Sequence, residues 1–378
     1  WIAGLYVAGL SLSRTDNKDQ FINEFSGSQR HLMDYLTSEV LDQQPADVRR
    51  FLLETSIVDE QHPDLCNAIT GRSDSAAVLR RPESENQFVQ ALDEHRRSFR
   101  YHRVFSDVLR EILAQEAEAD TAELYGRAAS WCLAGGHIAG AIHHQIRGEN
   151  YQDAVSLIIK HWIDFSNEGA HFTAFAFLGA LPEEVVNGNV DLIARAAWAT
   201  LNLRDYTACE RWLSMLEETA PEAETATHYT SPVRAHLARH HGQTSDMLHF
   251  GQLAMDHQDH PVPQVRAAAR ATLALGYFWT GDHEKSAIEF ELSISEGTED
   301  EEISSIVIGD SYLAFIEARA GNYADALIHI ERVGQYTDSK TLERFQLASM
   351  AHIAAAEVAL STGRYEQAEA ALNKAAEL

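Results

Sequence analysis

Lysine is scarce in this 378-residue chain: only 5 of its 30 basic residues are Lys, so its positive charge is mostly guanidinium, suited to planar anions. Basic residues are themselves in deficit, 30 against 57 Asp and Glu, and the resulting charge of −27 makes the chain a poor partner for phosphate backbones. The three cysteines, Cys66, Cys132 and Cys209, are too far apart and too few for a disulfide framework or a metal spacing, which fits a reducing cytoplasm. No run reaches the ~18–20 apolar residues that a bilayer crossing needs. The apolar opening Trp1–Leu10 lacks the basic flank of a signal peptide. No Gly-Lys dipeptide occurs, so there is no Walker A loop, and no Gly-x-Ser-x-Gly elbow marks a nucleophile. What remains, 45% hydrophobic and 23% charged, is the composition of an ordinary globular protein. Both ends read as helix interiors, so the chain reads as a piece cut from a longer protein.

Strand signals are confined to one short region; elsewhere helical periodicity is broken by Gly-containing turns. These turns repeat: Asn150-Tyr151-Gln-Asp-Ala154, Asp205-Tyr206-Thr-Ala-Cys209, Asp282-His283-Glu-Lys-Ser286, Asn322-Tyr323-Ala-Asp-Ala326 and Arg364-Tyr365-Glu-Gln-Ala368, with a weaker copy at Gly242-Gln-Thr244. The marked positions 151, 206, 244, 283, 323 and 365 lie 55, 38, 39, 40 and 42 residues apart, an interval in the range of helical-hairpin repeats. In the reading this suggests, Gly148, Gly242, Gly281, Gly321 and Gly363 end the first helix of each hairpin in a left-handed cap. The marked residue starts the second helix, and a small residue three later lets the two approach. Seven hairpins are expected, from about Ala119 to Leu378, stacked into a right-handed superhelix. The second is irregular and ends at Gly179-Ala-Leu-Pro182.

Residues 27–118 differ. Helices at about 46–57, 64–70 and 73–81 precede an apolar-polar run at Gln87–Leu92, a turn at Asp93–Arg96, a second run at Ser98–His102 and a helix from Arg103 to Gln115. Three helices, a two-stranded ribbon and a closing helix make a winged helix, without a basic recognition helix for DNA.

Several segments come in an order and spacing that resemble a known family: Trp1-Ile-Ala-Gly-Leu5, Phe21-Ile-Asn-Glu-Phe25, Asp34-Tyr-Leu36, Glu39-Val-Leu41, Phe51-Leu-Leu-Glu-Thr-Ser56, Leu65-Cys-Asn-Ala-Ile-Thr-Gly71 and Arg100–Arg110. Together they resemble the LuxR-type large ATP-binding transcriptional regulators of the maltose-regulon activator kind, signal-transducing NTPases of the NOD class. The resemblance is specific over about residues 1–165. It implies a mainly α fold, a winged-helix domain followed by a tetratricopeptide-like helical-hairpin superhelix. The implied division is 1–26, the end of an NTPase-associated helical domain; 27–118, the winged-helix domain; and 119–378, the repeat sensor domain. It also implies that the P-loop and helix-turn-helix domains belong to the parent protein, that ATP or ADP is the parent's cofactor with none in this fragment, and that self-association is the parent's property. Tyr101-His102 aligns with the family's Met-His-Asp type motif, which would make His102 a sensor of the nucleotide β-phosphate, although Arg103 stands where the family has an acid. The alternative is a buried histidine capping the helix it precedes.

Nineteen histidines invite a metal reading, but His236 and His240, one helical turn apart, have Leu237 where a metalloprotease would need Glu. The Asp256–His260 cluster and His143-His144 read better as solvated or packing groups, and no metal or catalytic residue is expected. The sign of the charge is more informative. The stretch Ser231–His241 carries Arg234, His236, Arg239, His240 and His241 with no acid, and Val262–Thr280 carries Arg266, Arg270, Tyr277, Phe278 and Trp279 with none. Inside a −27 chain these suggest a pocket for an anionic or aromatic small-molecule effector; the alternative is that the arginines pair with acids of adjacent hairpins. Trp198, Trp212, Tyr312 and Phe315 read as core.

The expected protein is a cytoplasmic, non-enzymatic, effector-sensing fragment of an ATP-dependent transcriptional activator, with no contact to nucleic acid or membrane of its own. The rival expectation is a scaffold whose repeats bind a regulatory protein or peptide.

Overall fold

The computed structural model describes residues 36–84, 88–116, 120–168, 170–220, 222–256, 263–299, 301–337 and 348–378. The segment expected to close an NTPase-associated domain, 1–26, and His257–His260 of the histidine cluster lie outside them. The chain divides into two units, Trp1–Ala154 and Val155–Leu378.

In the first unit a π-helical turn, Leu36–Leu41, precedes α1 (Ala46–Thr55), α2 (Pro63–Thr70) and α3 (Ser75–Ser84). Strands β1 (Val89–Ala91) and β2 (Phe99–Tyr101) follow, then α4 (Arg103–Gln115). Pro63 opens α2, where a missing N–H costs nothing, and Gly71 closes it at φ 71°. The strands pair antiparallel, with Val89 opposite Tyr101 and Ala91 opposite Phe99. Their turn is tied by one carboxylate: Asp93 accepts from the N–H groups of His95, Arg97 and Ser98 at 2.8, 2.9 and 2.8 Å. Strand alternation buries Phe99 and Tyr101 and exposes Arg100. The Tyr101 hydroxyl meets Thr55 Oγ1 at 2.6 Å, so the buried phenol is satisfied from α1. Helix α4 turns Phe105, Val108, Leu109 and Leu113 inward, while Arg110 donates to the Ser56 carbonyl at 2.6 Å and to Asp59 at 2.7 Å. The winged helix read from the sequence is therefore present. Its core continues into α5 (Thr121–Ala134) through Leu124, Tyr125 and Ala128. Helix α6 (Ile138–Arg147) pairs with α5 across a turn at Gly136, φ 75°. That turn was not among those expected.

The next helices are α7 (Tyr151–Lys160), α8 (Trp162–Asn167), α9 (His171–Ala180) and α10 (Glu183–Asn187), the irregular stretch anticipated before Pro182. Five regular hairpins complete the second unit: α11 (Val190–Asn202) with α12 (Tyr206–Thr219), α13 (Ala223–His240) with α14 (Thr244–Asp256), α15 (Pro263–Thr280) with α16 (His283–Glu299), α17 (Ile303–Ala320) with α18 (Tyr323–Thr337), and α19 (Ser349–Ser361) with α20 (Tyr365–Glu377). First helices pack on first helices, α11 on α13, α13 on α15, α15 on α17 and α17 on α19. Every marked residue of the repeat, Tyr151, Tyr206, Thr244, His283, Tyr323 and Tyr365, is the first residue of a helix. The small residues Ala154, Cys209, Ser286, Ala326 and Ala368 three positions later are all buried.

The left-handed caps hold at Gly242, Gly281, Gly321 and Gly363, with φ between 67° and 85°. Gly148 departs from the expectation. Its φ is −86°, and the left-handed residue there is Glu149 at 58°. Gly148 is required for close approach instead, because a Cβ on it would lie 2.6 Å from that of Tyr125.

Candidate functional site

The nine sequence-selected residues do not form one site. His102 is exposed at the N-terminus of α4; its backbone N–H donates to Phe88 at 2.8 Å and its side chain caps nothing. The capping-histidine alternative is thereby corrected. The first-turn N–H groups of a 13-residue helix lie beside an accessible imidazole there.

Arg266 and Arg270 face the second helix of their own hairpin. Arg270 donates through Nη1 to Glu289 at 2.7 Å and through Nε to Glu296 at 2.9 Å, and Arg266 Nε lies 3.4 Å from Glu296. Two largely covered glutamates consume this positive charge, so the pocket reading is corrected for both arginines. The pairing acids come from the same hairpin rather than from an adjacent one. Tyr277 is covered by the Lys285 ammonium, 5.4 Å from its ring centroid, and Trp279 is 59% exposed and stands edge-on to Phe278. Arg234 turns outward between Glu217, at 2.5 Å, and the Phe250 ring, at 6.0 Å.

Three residues of α13 do converge. His236 is buried, with Nε2 2.9 Å from Thr272 Oγ1 on α15 and its ring edge-on to Trp198 on α11 at 5.1 Å. Burial holds its pKa well below 6.5, so it is neutral. One turn on, His240 Nδ1 lies 3.0 Å from the Tyr206 hydroxyl of α12, with the rings 4.8 Å apart. Its pKa is also lowered, by burial first and then by the charges of Arg239, Arg204 and His241.

Arg239 sits between them. Burial holds its guanidinium below the usual arginine range, and the groups acting in the other direction are the hydroxyls of Tyr312, on α17, and Tyr206. Among the described residues it has no carboxylate partner. Tyr312 is fixed in turn, stacked on Phe290 at 5.3 Å and edge-on to Phe278 at 5.0 Å, and burial pushes its hydroxyl pKa up. The result is a half-buried cation whose charge is coupled to two phenols and to the neutral His236 imidazole, a combination that can receive an anion through charge-assisted hydrogen bonds.

Tyr206 and Tyr312 were missed, the first because it marks the repeat and the second because it reads as core. A usable signal was nonetheless in the sequence. Three residues before the turn glycines 281 and 321 stand Phe278 and Ala318, both buried, and six before stand Leu275 and Phe315. In the α13 hairpin, counted from Gly242, the same positions carry Arg239 and His236. Polar groups at positions apolar in neighbouring repeats break a local rule, which is where function concentrates.

Among the described residues no group of His, Cys, Asp and Glu could hold a metal ion, and no helix is long and apolar enough to cross a membrane. Comparisons with known proteins agree with the winged helix: residues 37–121 match the family described as the MalT winged helix domain. The HTH-type transcriptional regulator MalT of Klebsiella pneumoniae is 27% identical over 260 residues, 68% of this chain and 29% of that protein. The serine/threonine-protein kinase PknK of Mycobacterium tuberculosis is 26% identical over 235 residues, 62% of this chain and 21% of that protein. The chain thus spans under a third of the length of either relative. Among solved structures, a Signal Transduction ATPase with Numerous Domains (STAND) protein with a tetratricopeptide repeat sensor from Pyrococcus horikoshii aligns over 97% of this chain and 64% of that one, at a TM-score of 0.47 and 13% identity.

Proposed function

We propose, from the premise that this chain is a relative of the LuxR-type STAND regulators and carries their winged helix, that its repeat array senses a small anionic or aromatic effector at Arg239. The observation that carries this reading is Arg239 itself: a half-buried guanidinium with no carboxylate partner among the described residues, felt electrostatically by Tyr312 and Tyr206, at a position where neighbouring hairpins place Phe278 and Ala318. Burying a cation unpaired is unfavourable for folding, so the arrangement is understandable as half of an ion pair whose other half is a ligand. The Arg239 fork would take a carboxylate or phosphate, Tyr206 and Tyr312 would donate to it, and an aromatic ligand body would lie against their rings. His236 would hold α13 in register with α15 through Thr272.

In the whole protein the effector would bias a two-state element, the winged helix against an NTPase module, towards the active form. ATP or ADP would be held by that module; what this chain offers is the exposed His102 at the start of α4, whose ring N–H can donate to a phosphate oxygen. Effector binding would release that contact and permit self-association. Nothing in this reading asks the chain to catalyse a reaction, and its setting would be the cytoplasm.

Thermal unfolding against a panel of organic acids, sugar phosphates, aromatic acids and neutral sugars tests it. One anionic compound should raise the midpoint saturably, by ~2.7 kcal/mol of stabilisation at a hundredfold excess over Kd. Arg239→Gln should abolish the rise and Arg234→Gln should keep it. A rise that survives Arg239→Gln sinks the assignment.

A further inference from the structure

The second unit carries an apolar surface that the effector reading does not use. Seven residues after their turn glycines, Gly281 and Gly321, α16 and α18 each place an isoleucine: Ile288, 51% exposed, and Ile328, 56% exposed. The two stand 40 residues apart, one repeat interval, on helices that both pack on α17. A leucine reinforces each, Leu292 one turn on along α16 and Leu327 beside Ile328, 43% and 47% exposed. The buried side chains Phe290 and Ile294 of α16, and Ala326 and Val333 of α18, fall on the other face of each helix. Single exposed apolar residues are ordinary, but these four share one repeat position and its neighbours. The fold does not ask for them there, because the same seventh position carries His249 in α14 and Ala370 in α20. The ridge therefore belongs to two adjacent hairpins alone.

The rim of this ridge is negative. Glu291 lies three residues from Ile288, and Asp325 and Glu331 lie three residues to either side of Ile328. All three acids are exposed and form no ion pair among the described residues. The Lys and Arg of the two helices are already engaged, Lys285 by Asp282 at 2.8 Å and Arg332 by the buried Asp310 at 3.1 Å. An apolar strip with an acidic rim selects its occupant by charge. Nucleic acid and an anionic membrane are repelled by it. A second copy of this chain would bring the same acidic rim and a charge of −27 to the contact. What fits is a helix whose aliphatic stripe interdigitates with side chains spaced one turn apart, flanked by Lys or Arg that meet the three carboxylates.

We propose that the ridge on α16 and α18 docks a basic amphipathic helix of a partner protein. The aliphatic stripe of that helix would lie over Ile288, Leu292, Leu327 and Ile328, and its flanking cations would pair with Glu291, Asp325 and Glu331.

Isothermal titration of the chain at physiological salt tests the proposal with three probes. They are a helical peptide of Leu and Lys with Leu on one face, the same composition scrambled so that no face forms, and the patterned peptide with Glu in place of Lys. The patterned basic peptide should bind at least tenfold more tightly than the other two. Ile288→Thr combined with Ile328→Thr should weaken it tenfold or more, with an unchanged melting midpoint. Glu291→Gln combined with Glu331→Gln should weaken it several-fold and flatten its salt dependence, and keeps the test decisive if the isoleucine variant misfolds. Phe172→Ser removes an aromatic that is 73% exposed on α9, outside the ridge, and should leave binding unchanged. Arg239→Gln should also leave it unchanged, so failure of the effector reading and failure of this one are separable. Equal binding of the scrambled peptide, insensitive to both ridge variants, would mean attraction to the −27 chain as a whole and overturn the proposal. A dimer in sedimentation velocity that the isoleucine variant abolishes would assign the ridge to a second copy instead, and no binding by any probe would overturn the site.

Discussion

Asn167 and Glu301, 134 residues apart, are clasped by one side-chain amide: Asn167 Nδ2 donates to the Glu301 carbonyl at 2.6 Å, and its Oδ1 accepts the Ile303 N–H at 3.3 Å. The clasp ties the end of α8 to the turn that opens α17. Glu301 stands at φ 56°, a conformation that costs a non-glycine residue ~1–3 kcal/mol unless its surroundings hold it. Part of that hold comes from the next residue, because buried Glu302 caps α17 by accepting the N–H groups of Ser304 and Ser305 at 3.2 and 2.7 Å. The Glu302 N–H donates to the Gly297 carbonyl at 2.8 Å, and Asn167 adds its two bonds.

Removing the clasp should therefore loosen the second unit. Asn167→Ala is expected to lower unfolding free energy by ~1–2 kcal/mol, two hydrogen bonds of which one is solvent-exposed. Asn167→Asp should be no better, since it deletes the donor and places a carboxylate beside the Glu301 carbonyl. Urea titration monitored by circular dichroism reads the effect. A change below about 0.5 kcal/mol in both variants, the usual scatter of surface substitutions, would show that the clasp carries no stability.

The two kinds of arginine in the repeat array should respond oppositely to truncation. Arg270 neutralises Glu289 and Glu296, both largely covered, and Arg270→Ala strands two like charges; a loss of ~1–3 kcal/mol is expected. Arg239 neutralises nothing among the described residues, and Arg239→Met keeps its length without its charge. The free protein should be unchanged or slightly stabilised by this second variant while losing its response to anions. Paired melting curves with and without the effector check it; equal destabilisation by both variants would mean that Arg239 has a structural partner.

Unit one should weaken in mild acid through His144. Burial, and secondarily the charge of His143, pushes its pKa down to about 4, and its Nδ1 has no partner among the described residues. Around it stand Asp59, which favours the charged form, Arg147, which opposes it, and the Tyr125 ring at 6.1 Å. A base whose folded pKa lies below its unfolded value of 6.5 binds fewer protons when folded between the two values. Stability is then full above about pH 6.5 and falls as pH drops towards 4, by on the order of 2–3 kcal/mol in total. His144→Leu should flatten this slope, read as the difference between wild-type and variant midpoints at pH 7.5 and pH 5. Parallel pH profiles would remove His144 as the cause.

How much of this was legible depends on the kind of residue. Turns and ribbons announce themselves locally: the marked residues from Tyr151 to Tyr365 each begin a helix, and the Asp93 turn lies between two apolar-polar runs. The site was partly legible. A sign imbalance pointed to α13 and α15, but sign alone cannot distinguish Arg270, whose acids lie 19 and 26 residues on, from Arg239, which has none among the described residues. The Asn167 clasp was invisible, since no local pattern links residues 134 apart.

Glycine inside helices separates packing from propensity. Gly309, within α17, and Gly334, within α18, both sit where helix propensity alone predicts that Ala would gain ~1 kcal/mol. A Cβ on Gly309 would lie 2.6 Å from Ile294 Cγ1 and 3.2 Å from the Phe290 carbonyl oxygen, whereas one on Gly334 meets nothing within 4 Å. Ile294 and Phe290 are buried core residues of α16, so the clash cannot be relieved by swinging a side chain into solvent. Overpacking of this kind costs ~1–3 kcal/mol and outweighs the propensity gain. Gly309→Ala should therefore destabilise the second unit while Gly334→Ala stabilises it by ~0.5–1 kcal/mol. Because Phe290 also stacks on Tyr312, displacement of α17 by Gly309→Ala should move the phenol that is coupled electrostatically to Arg239 and weaken anion binding as well. Melting midpoints and effector titrations of the two variants decide it: a stabilising Gly309→Ala would show that α16 and α17 are less tightly apposed than the distances state, and normal anion binding by a destabilised Gly309→Ala would uncouple Tyr312 from the site.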